Sequence, residues 1–377
     1  MLKLLHTADW HLGMSFGQFD EADRTKLTRA RLEVVDKLLG LADMHQVHAV
    51  LCAGDLFDEP TPDPIWWKGL RKAFDRVANG WPASRPVFLL PGNHDPLTAN
   101  SVWSPTHPFR AGLPPWVQVI DRPDFTAPLG ELGVLHAVPC TSRAGQRDPT
   151  ELIPARQPGD ARIRVGMVHG QTFDLEGCQT NFPISKDAAA QRGLDYLAIG
   201  DTHGFRLVPP DTVPTVYPGA PEQTRFGETG AGQAALVFFR RAGQRPRVEP
   251  QRVATWTWRE ETCHDLPRLL QLRSENLTKT VLRLTLDMEV SLEEHEQVEL
   301  ILRELKGTAA THGRVGVLVT DRTKLALKVT GAEFPPGLPP VLKDVVARLR
   351  EKEVLPEDAE KARRALIHLY RLVKDRC

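Results

Sequence analysis

Acidic, imidazole and amide side chains follow directly on a series of short apolar runs. Leu4 to Ala8 leads into Asp9-Trp10-His11, Val47 to Ala53 into Gly54-Asp55-Leu56-Phe57-Asp58, and Val87 to Leu90 into Gly92-Asn93-His94-Asp95. Further on, Val165 to Val168 ends at His169-Gly170, and Leu197 to Ile199 at Gly200-Asp201-Thr202-His203. The donors are nitrogen and oxygen without sulfur, a set suited to hard or borderline divalent ions such as Mn²⁺, Fe²⁺ or Zn²⁺. There are enough of them for two ions. A pair about 4 Å apart can share a carboxylate, acidify a water and neutralise phosphate oxygens. The chemistry indicated is phosphoester hydrolysis. Taken singly, each fragment has a plainer reading: an Asp-x-His arises by chance, and Gly-Asp or Gly-Asn marks a turn. What points to one metal site is the joint placement of all five.

The elements that must position them are legible as a pattern. The five runs are short, apolar and bounded by Gly, Pro or Asp, and read as strands. Helical spacing of Leu27, Leu32, Val35, Leu38, Leu39 and Ala42 predicts a helix over Asp23 to Met44, and another covers Ile65 to Val77. Strands alternating with helices predict an α/β fold with a buried sheet. The carboxyl ends of its parallel strands share one edge, where all five segments would meet. In an extended segment residues i and i+2 point the same way, so Asp9 with His11, and Asp201 with His203, would each present two donors together. Gly112 to Gln118 and Thr141 to Ala161 read as loops.

With 377 residues the chain has room for two or three domains. Its 41% hydrophobic and 25% charged residues exclude wholesale disorder. Forty-eight Lys plus Arg balance forty-eight Asp plus Glu, so any polyanion surface must be local. Arg240 to Arg252 carries five arginines against Glu249, with Pro246 and Pro250 interrupting, and reads as a solvated linker after a first domain spanning 1–240, with a local phosphate contact as the alternative. A small α+β domain over 253–332 follows. It has a strand at Thr280 to Met288, a helix at Ser291 to Leu305 capped by Ser291 with Glu294, and strands at Val315 to Val319 and Leu325 to Val329. Two amphipathic helices over 338–377 complete the chain, one carrying Val341 to Leu349 and one beginning at Pro356. The Pro335 to Pro340 segment before them reads as a tether. No apolar run approaches the roughly 18 residues of a membrane span, and no secretory signal opens the sequence, so a cytoplasmic protein is expected. The five scattered cysteines read as reduced thiols.

At these motifs the chain resembles the calcineurin-like metallophosphoesterase superfamily, and within it the SbcD-type nucleases of DNA double-strand-break repair. The resemblance rests on His6-Thr7-Ala8-Asp9-Trp10-His11-Leu12-Gly13, Gly54 to Asp58, Gly92 to Asp95, Val168-His169-Gly170, and Tyr217 to Glu222 followed by Phe226-Gly227-Glu228. It implies a four-layer β-sandwich flanked by helices, then a capping domain and a C-terminal helical arm. It also implies two divalent ions, with Mn²⁺ favoured. Asp9, His11, Asp55 and His203 would hold one ion, and Asn93, His169 and Asp201 the other, with Asp55 bridging. His94 would contact the scissile phosphate or protonate the leaving oxygen, and Asp95 would orient the His94 ring. Asp58 reads as a turn or sheet-edge residue. DNA, an SbcC-type SMC-like ATPase docked on the C-terminal helices, a homodimer and a nucleoid-associated location are the partners and place it suggests. It assigns no particular DNA-contacting residue.

One position departs from the pattern. The family usually reads Gly-His-x-His where this chain has Gly200-Asp201-Thr202-His203. With Asp9, Asp55 and Asp201, two dications retain one positive charge where the usual set retains two, which favours a harder ion. Three functions stay open at this point: an exonuclease and endonuclease acting on DNA, a phosphodiesterase or phosphatase for small or protein substrates, and a catalytically impaired subunit that positions DNA for an ATPase.

Overall fold

A computed structural model of the chain describes residues 1–172, 181–208, 213–308, 311–327, 334, 337–355 and 357–374. Two compact units emerge, Met1–Thr257 and Trp258–Cys377.

The first unit is built on twelve strands in two sheets. In chain order they are β1 (Leu2–Thr7), β2 (Ala49–Cys52), β3 (Val87–Leu89), β4 (Val117–Val119), β5 (Phe125–Leu129), β6 (Gly133–Ala137), β7 (Ile163–His169), β8 (Tyr196–Gly200), β9 (Arg206–Val208), β10 (Thr215–Tyr217), β11 (Gln233–Phe239) and β12 (Arg247–Arg252). One sheet runs β12-β11-β1-β2-β3-β4 and the other β9-β10-β8-β7-β6-β5. The central strands are parallel, β1 with β2, β2 with β3, and β7 with β8, so their carboxyl ends share an edge.

Side-chain alternation creates the layers. Along β1, Leu2 and Leu4 face Leu135, Val165, Met167 and Tyr196 of the other sheet, while Leu5 packs outward with Val34, Val35 and Leu38. Those valines and leucines belong to α1 (Glu21–Met44), which is capped by Asp20 accepting from Asp23 N at 3.0 Å. With α2 (Pro64–Val77) it covers one outer face. The opposite face, through Leu197 and Ile199, packs on Ile153 and the short helix Ala188–Gln191. The result is the helix, sheet, sheet, helix sandwich that the resemblance implied.

The expected linker is a finding of a different kind. Arg247–Arg252 is β12, paired antiparallel with β11, with Pro250 opposite Ala235. Pro250 lacks an amide hydrogen and is tolerated because β12 is an edge strand. The sheet therefore continues beyond residue 240. Of the segments read as loops, Gly112 to Gln118 runs into β4, and Thr141 to Ala161 holds one 3₁₀ turn, Pro149–Leu152.

The second unit carries a three-stranded sheet, β13 (Thr257–Cys263), β14 (Leu277–Leu286) and β15 (Val315–Asp321) in that order, with α3 (Leu266–Ser274) and α4 (Leu292–Lys306). Ser291 and Glu294 form the reciprocal cap of α4: Ser291 Oγ accepts from Glu294 N at 3.2 Å, and Glu294 Oε2 from Ser291 N at 2.8 Å. Of the run expected to reach Val329, Ala326–Leu327 is a strand and the remainder lies outside the described residues, as do Pro335, Pro336 and Pro356.

Helices α5 (Pro340–Glu353) and α6 (Ala359–Lys374) are not a separate arm. Val346, Leu366, Tyr370 and Val373, together with Phe334 and Leu338 from the expected tether, are buried in one core with Leu282, Leu284, Ile301 and Leu302. Removing 341–377 would thus uncover the core of this unit. Leu366→Ala should destabilise the unit by about 2–5 kcal/mol, read from denaturant unfolding followed by hydrogen exchange in β14 and α4. An unchanged unfolding midpoint would mean that the helices stand apart from that core.

Candidate metal centre

The loops after β1 and β2 run side by side. Asp9 N donates to Gly54 O at 3.0 Å, His11 N to Asp55 O at 3.0 Å, Leu12 N to Leu56 O at 2.8 Å, and Asp58 N to Leu12 O at 3.1 Å. Within this ladder Asp9, His11 and Asp55 adopt left-handed backbone, at φ 55°, 43° and 53°, and Asp201 does so at 94°. Such conformations are costly for residues with a Cβ and persist where the surroundings enforce them. Asp9 and His11 therefore converge through local left-handed turns, not through the extended i, i+2 geometry expected from sequence. Two glycines make the close approach feasible. A Cβ at Gly54, whose φ is +98°, would lie 2.1 Å from His169 Nδ1, and one at Gly92 would lie 2.1 Å from Asp55 Oδ1.

Three imidazoles are held by one nitrogen and offer the other. His169 Nδ1 is 2.8 Å from the Ala53 carbonyl, His11 Nδ1 is 3.0 Å from Asp58 Oδ1, and His203 Nδ1 is 2.7 Å from Glu228 Oε1. Each partner can only accept, so each ring carries a proton on Nδ1 and turns Nε2 inward, as a lone pair wherever the ring is neutral. The Nε2 atoms of His11 and His203 face each other at 3.1 Å. Around His169 Nε2 stand Asn93 Oδ1 at 2.8 Å, Asp55 Oδ2 at 3.3 Å and Asp201 Oδ1 at 3.8 Å. Asp55 Oδ2 is also 3.8 Å from His11 Nε2, which places it between the two groupings. Burial opposes charge on His203, but Glu228 and Asp9 outweigh it and hold the ring above its ordinary value, so a proton on His203 Nε2 can bridge to neutral His11 where a cation would otherwise stand.

Two buried oxygens, Asp9 Oδ2 and Asp201 Oδ2, have no hydrogen-bond partner among the described residues. Donor atoms of Asp9, His11 and His203, and again of Asp9, Asp55 and His169, all lie within 4.8 Å of one another. Burial pushes the Asp9 carboxyl up to about 7 and raises that of Asp201. Burial opposes charge on His169 too, but Asp55, Asp9 and Asp201 outweigh it and hold the ring well above its ordinary value. A proton there supplies the charge that a cation would supply. Burial brings His11 down to about 4, keeping it a neutral donor ring. The seven residues Asp9, His11, Asp55, Asn93, His169, Asp201 and His203 thus come together, and their chemistry fits a divalent pair.

His94 flanks them with its side chain 46% exposed, its ring packed edge-on against His11 and its Nδ1 3.2 Å from the Asp58 carbonyl. The expectation for Asp95 is corrected. Its buried carboxylate accepts from Gly92 N at 2.8 Å and Phe57 N at 3.0 Å, clamping the turn that carries Asn93, and does not orient His94. Asp58 lies in a bend, as expected, and in addition orients His11.

The model of the calcineurin-like phosphoesterase family matches residues 2–205, more than half of the sequence. The chain belongs to this family. Among its relatives, the uncharacterized metallophosphoesterase YhaO of Bacillus subtilis is 25% identical over 238 residues, 61% of this chain and 55% of that protein. The SbcD subunit of nuclease SbcCD from the same organism is 32% identical over 276 residues, 64% and 67% respectively. The DNA double-strand break repair protein Mre11 of Aeropyrum pernix is 26% identical over 277 residues, 67% and 61%. The chain spans little more than half the length of the YhaO protein. Asp58 and Glu228 are the acids that orient two rings of the cluster. Glu228 stood in the Phe226-Gly227-Glu228 motif without a role, because nothing local reveals a partner 25 residues away.

Arg31 also escaped notice, though a lone arginine in the apolar stripe of α1 was a signal. Fully buried, it donates from Nη1 to Trp10 O at 2.7 Å and from Nη2 to Glu222 O and Gln223 O at 3.2 Å. It ties the His11 loop to the segment that orients His203. Gly54→Ala should displace His169 and weaken binding of a divalent ion, titrated as Mn²⁺, at least tenfold by calorimetry, about 1.4 kcal/mol. Gly17→Ala, whose Cβ meets nothing within 4 Å, should leave binding unchanged. Equal affinities for the two variants would detach His169 from the ion.

Proposed function

We propose that this phosphoesterase is a Mn²⁺-dependent DNA nuclease of the SbcD type. The observation that carries the reading is the convergence of three inward Nε2 atoms, each ring fixed by an acceptor on Nδ1, upon Asp9, Asp55 and Asp201. In this reading Asp9, His11, Asp55 and His203 would hold one ion and Asn93, His169 and Asp201 the second, with Asp55 placed to serve both. When bound, the pair would activate a water and neutralise the non-bridging oxygens of a phosphodiester. The protein's own contribution is orientation. Asp58 and Glu228 keep His11 and His203 in the tautomer that leaves Nε2 free, and the Ala53 carbonyl does the same for His169. His94, half exposed beside the cluster with Nδ1 turned toward Asp58, is the residue assigned to meet the scissile phosphate and give a proton to the leaving oxygen.

DNA as substrate is supported by the names of the relatives, two of which act in DNA cleavage or repair. Kinship to one subunit of an SbcCD nuclease also implies an ATPase partner. The exposed Val341 and Val345 of α5, with Val354 and Leu355 just beyond it, are the surface we assign to that contact. The reading includes a cytoplasmic location; among the described residues no helix is long and apolar enough to cross a membrane.

Cleavage of a labelled duplex should require Mn²⁺ and fall by about 10²–10⁴-fold in His94→Ala with metal affinity retained. Hydrolysis of small esters without duplex cleavage would favour the general phosphodiesterase reading, and duplex binding without any hydrolysis the DNA-positioning one. Asp201→His should move the metal preference from Mn²⁺ toward Zn²⁺, since an imidazole replaces a hard anionic donor. Unchanged preference would remove any special role for this position.

A further inference from the structure

The edge of the first unit opposite the metal centre is strongly basic. β1 runs from Leu2 toward Asp9 and pairs antiparallel with β11, so that Phe239 lies beside Leu2. The turn between β11 and β12 therefore sits at the far end of the sheet, six residues or roughly 20 Å from the metal edge. It carries Arg240, Arg241 and Arg245, all exposed and without an ion pair or hydrogen bond among the described residues. Two cavities open around this turn. One, of about 570 Å³, is lined by Arg240, Arg245 and Arg247 and by no carboxylate. The other, of about 810 Å³, is lined by Arg241, Arg245 and Arg156 and shares Gln244 and Arg245 with the first.

The acids nearby are already committed. In the larger cavity Asp195 accepts from Arg156 Nη2 at 2.7 Å, Arg164 N at 2.8 Å and Gly243 N at 2.7 Å, and Asp160 is bound to Arg162. Arg247 is held by Glu249 at 2.6 Å and lies over the Phe238 ring at 4.3 Å. These contacts brace the turn and leave three guanidinium groups unneutralised in a protein whose overall charge is zero. Like charges held together without counter-charge repel, and an anion relieves that repulsion. Two cups that share Arg245 spread the charge beyond a single pocket. Several guanidinium groups on one turn suit the repeated, bidentate acceptors of a phosphodiester backbone.

We infer that this arginine turn is a second nucleic-acid contact, gripping the backbone of DNA away from the centre where it is cut. The identity of the polyanion rests on the nuclease reading, while the binding surface stands on its own charges. The test is therefore made without metal, by fluorescence anisotropy of a duplex of about 30 base pairs in EDTA over about 50 to 200 mM KCl. The triple variant Arg240→Ala, Arg241→Ala, Arg245→Ala should bind at least tenfold more weakly. Its plot of log K against log salt should be shallower by about 0.9 for each phosphate no longer neutralised.

The corresponding triple Lys variant should recover most of the salt slope and less of the affinity. Mn²⁺-dependent hydrolysis of bis(p-nitrophenyl) phosphate and the melting temperature should be unchanged in both variants. Equal duplex affinity and salt slope in wild type and the Ala variant would overturn the inference. So would loss of polyglutamate binding alone, which would assign the turn to an acidic protein. If the wild type hydrolyses no ester at all, the proposed function fails, yet the anisotropy still decides the arginine turn.

Discussion

Gathering three carboxylates and three imidazole rings into one buried volume is the constraint on which the rest of the first unit depends. Two like charges 4 Å apart repel by about 4 kcal/mol at an effective dielectric of 20, and burial adds a penalty for each charge taken out of water. The protein meets this on its own only by protonation: Asp9 is pushed up to about 7 and His169 is held well above its ordinary value. A cation pair resolves the same imbalance without neutralising the ligands. The site is in this sense built around a charge that the polypeptide does not itself contain.

Holding such a cluster demands a scaffold that cannot relax. Left-handed backbone at Asp9, His11, Asp55 and Asp201 is enforced by the ladder between neighbouring loops and by the double-sheet core beneath it. Asp95 clamps the turn carrying Asn93 through two amides, and buried Arg31 ties the His11 loop to residues 222 and 223. Each such contact costs desolvation of a charged group, repaid by several charge-assisted hydrogen bonds. The same logic separates the two edges of the sheet. Negative donors collect at the carboxyl ends of the strands, and unpaired arginines at the other end, although the sequence as a whole is neutral. Average charge is therefore a poor guide to which anions the surface meets.

Much of the fold could be read from the chain because its central strands are buried on both faces. β1, β2, β3, β7 and β8 are built around short apolar runs, and α1 carries an apolar stripe interrupted by Arg31. The antiparallel edges were harder. β12 reads Arg-Val-Glu-Pro-Gln-Arg, a string that only an edge position permits, and its composition alone resembles a linker. α5 and α6 show their amphipathic faces plainly, yet no local pattern tells whether such a face meets its own domain or another protein; here Val346 and Leu366 meet their own.

For the site, residue type and position after an apolar run were sufficient to nominate Asp9, His11, Asp55, Asn93, His169, Asp201 and His203, because parallel strands bring their ends to one edge whatever the details between. Those properties are local and survive in a one-dimensional record. Tertiary structure alone decided which acceptor holds each ring: Asp58 for His11, Glu228 for His203, and a main-chain carbonyl for His169. It also decided that Asp95 serves the backbone. A hydrogen bond across tens or hundreds of residues depends on distances of a few tenths of an ångström, and those are set only once both sheets have packed.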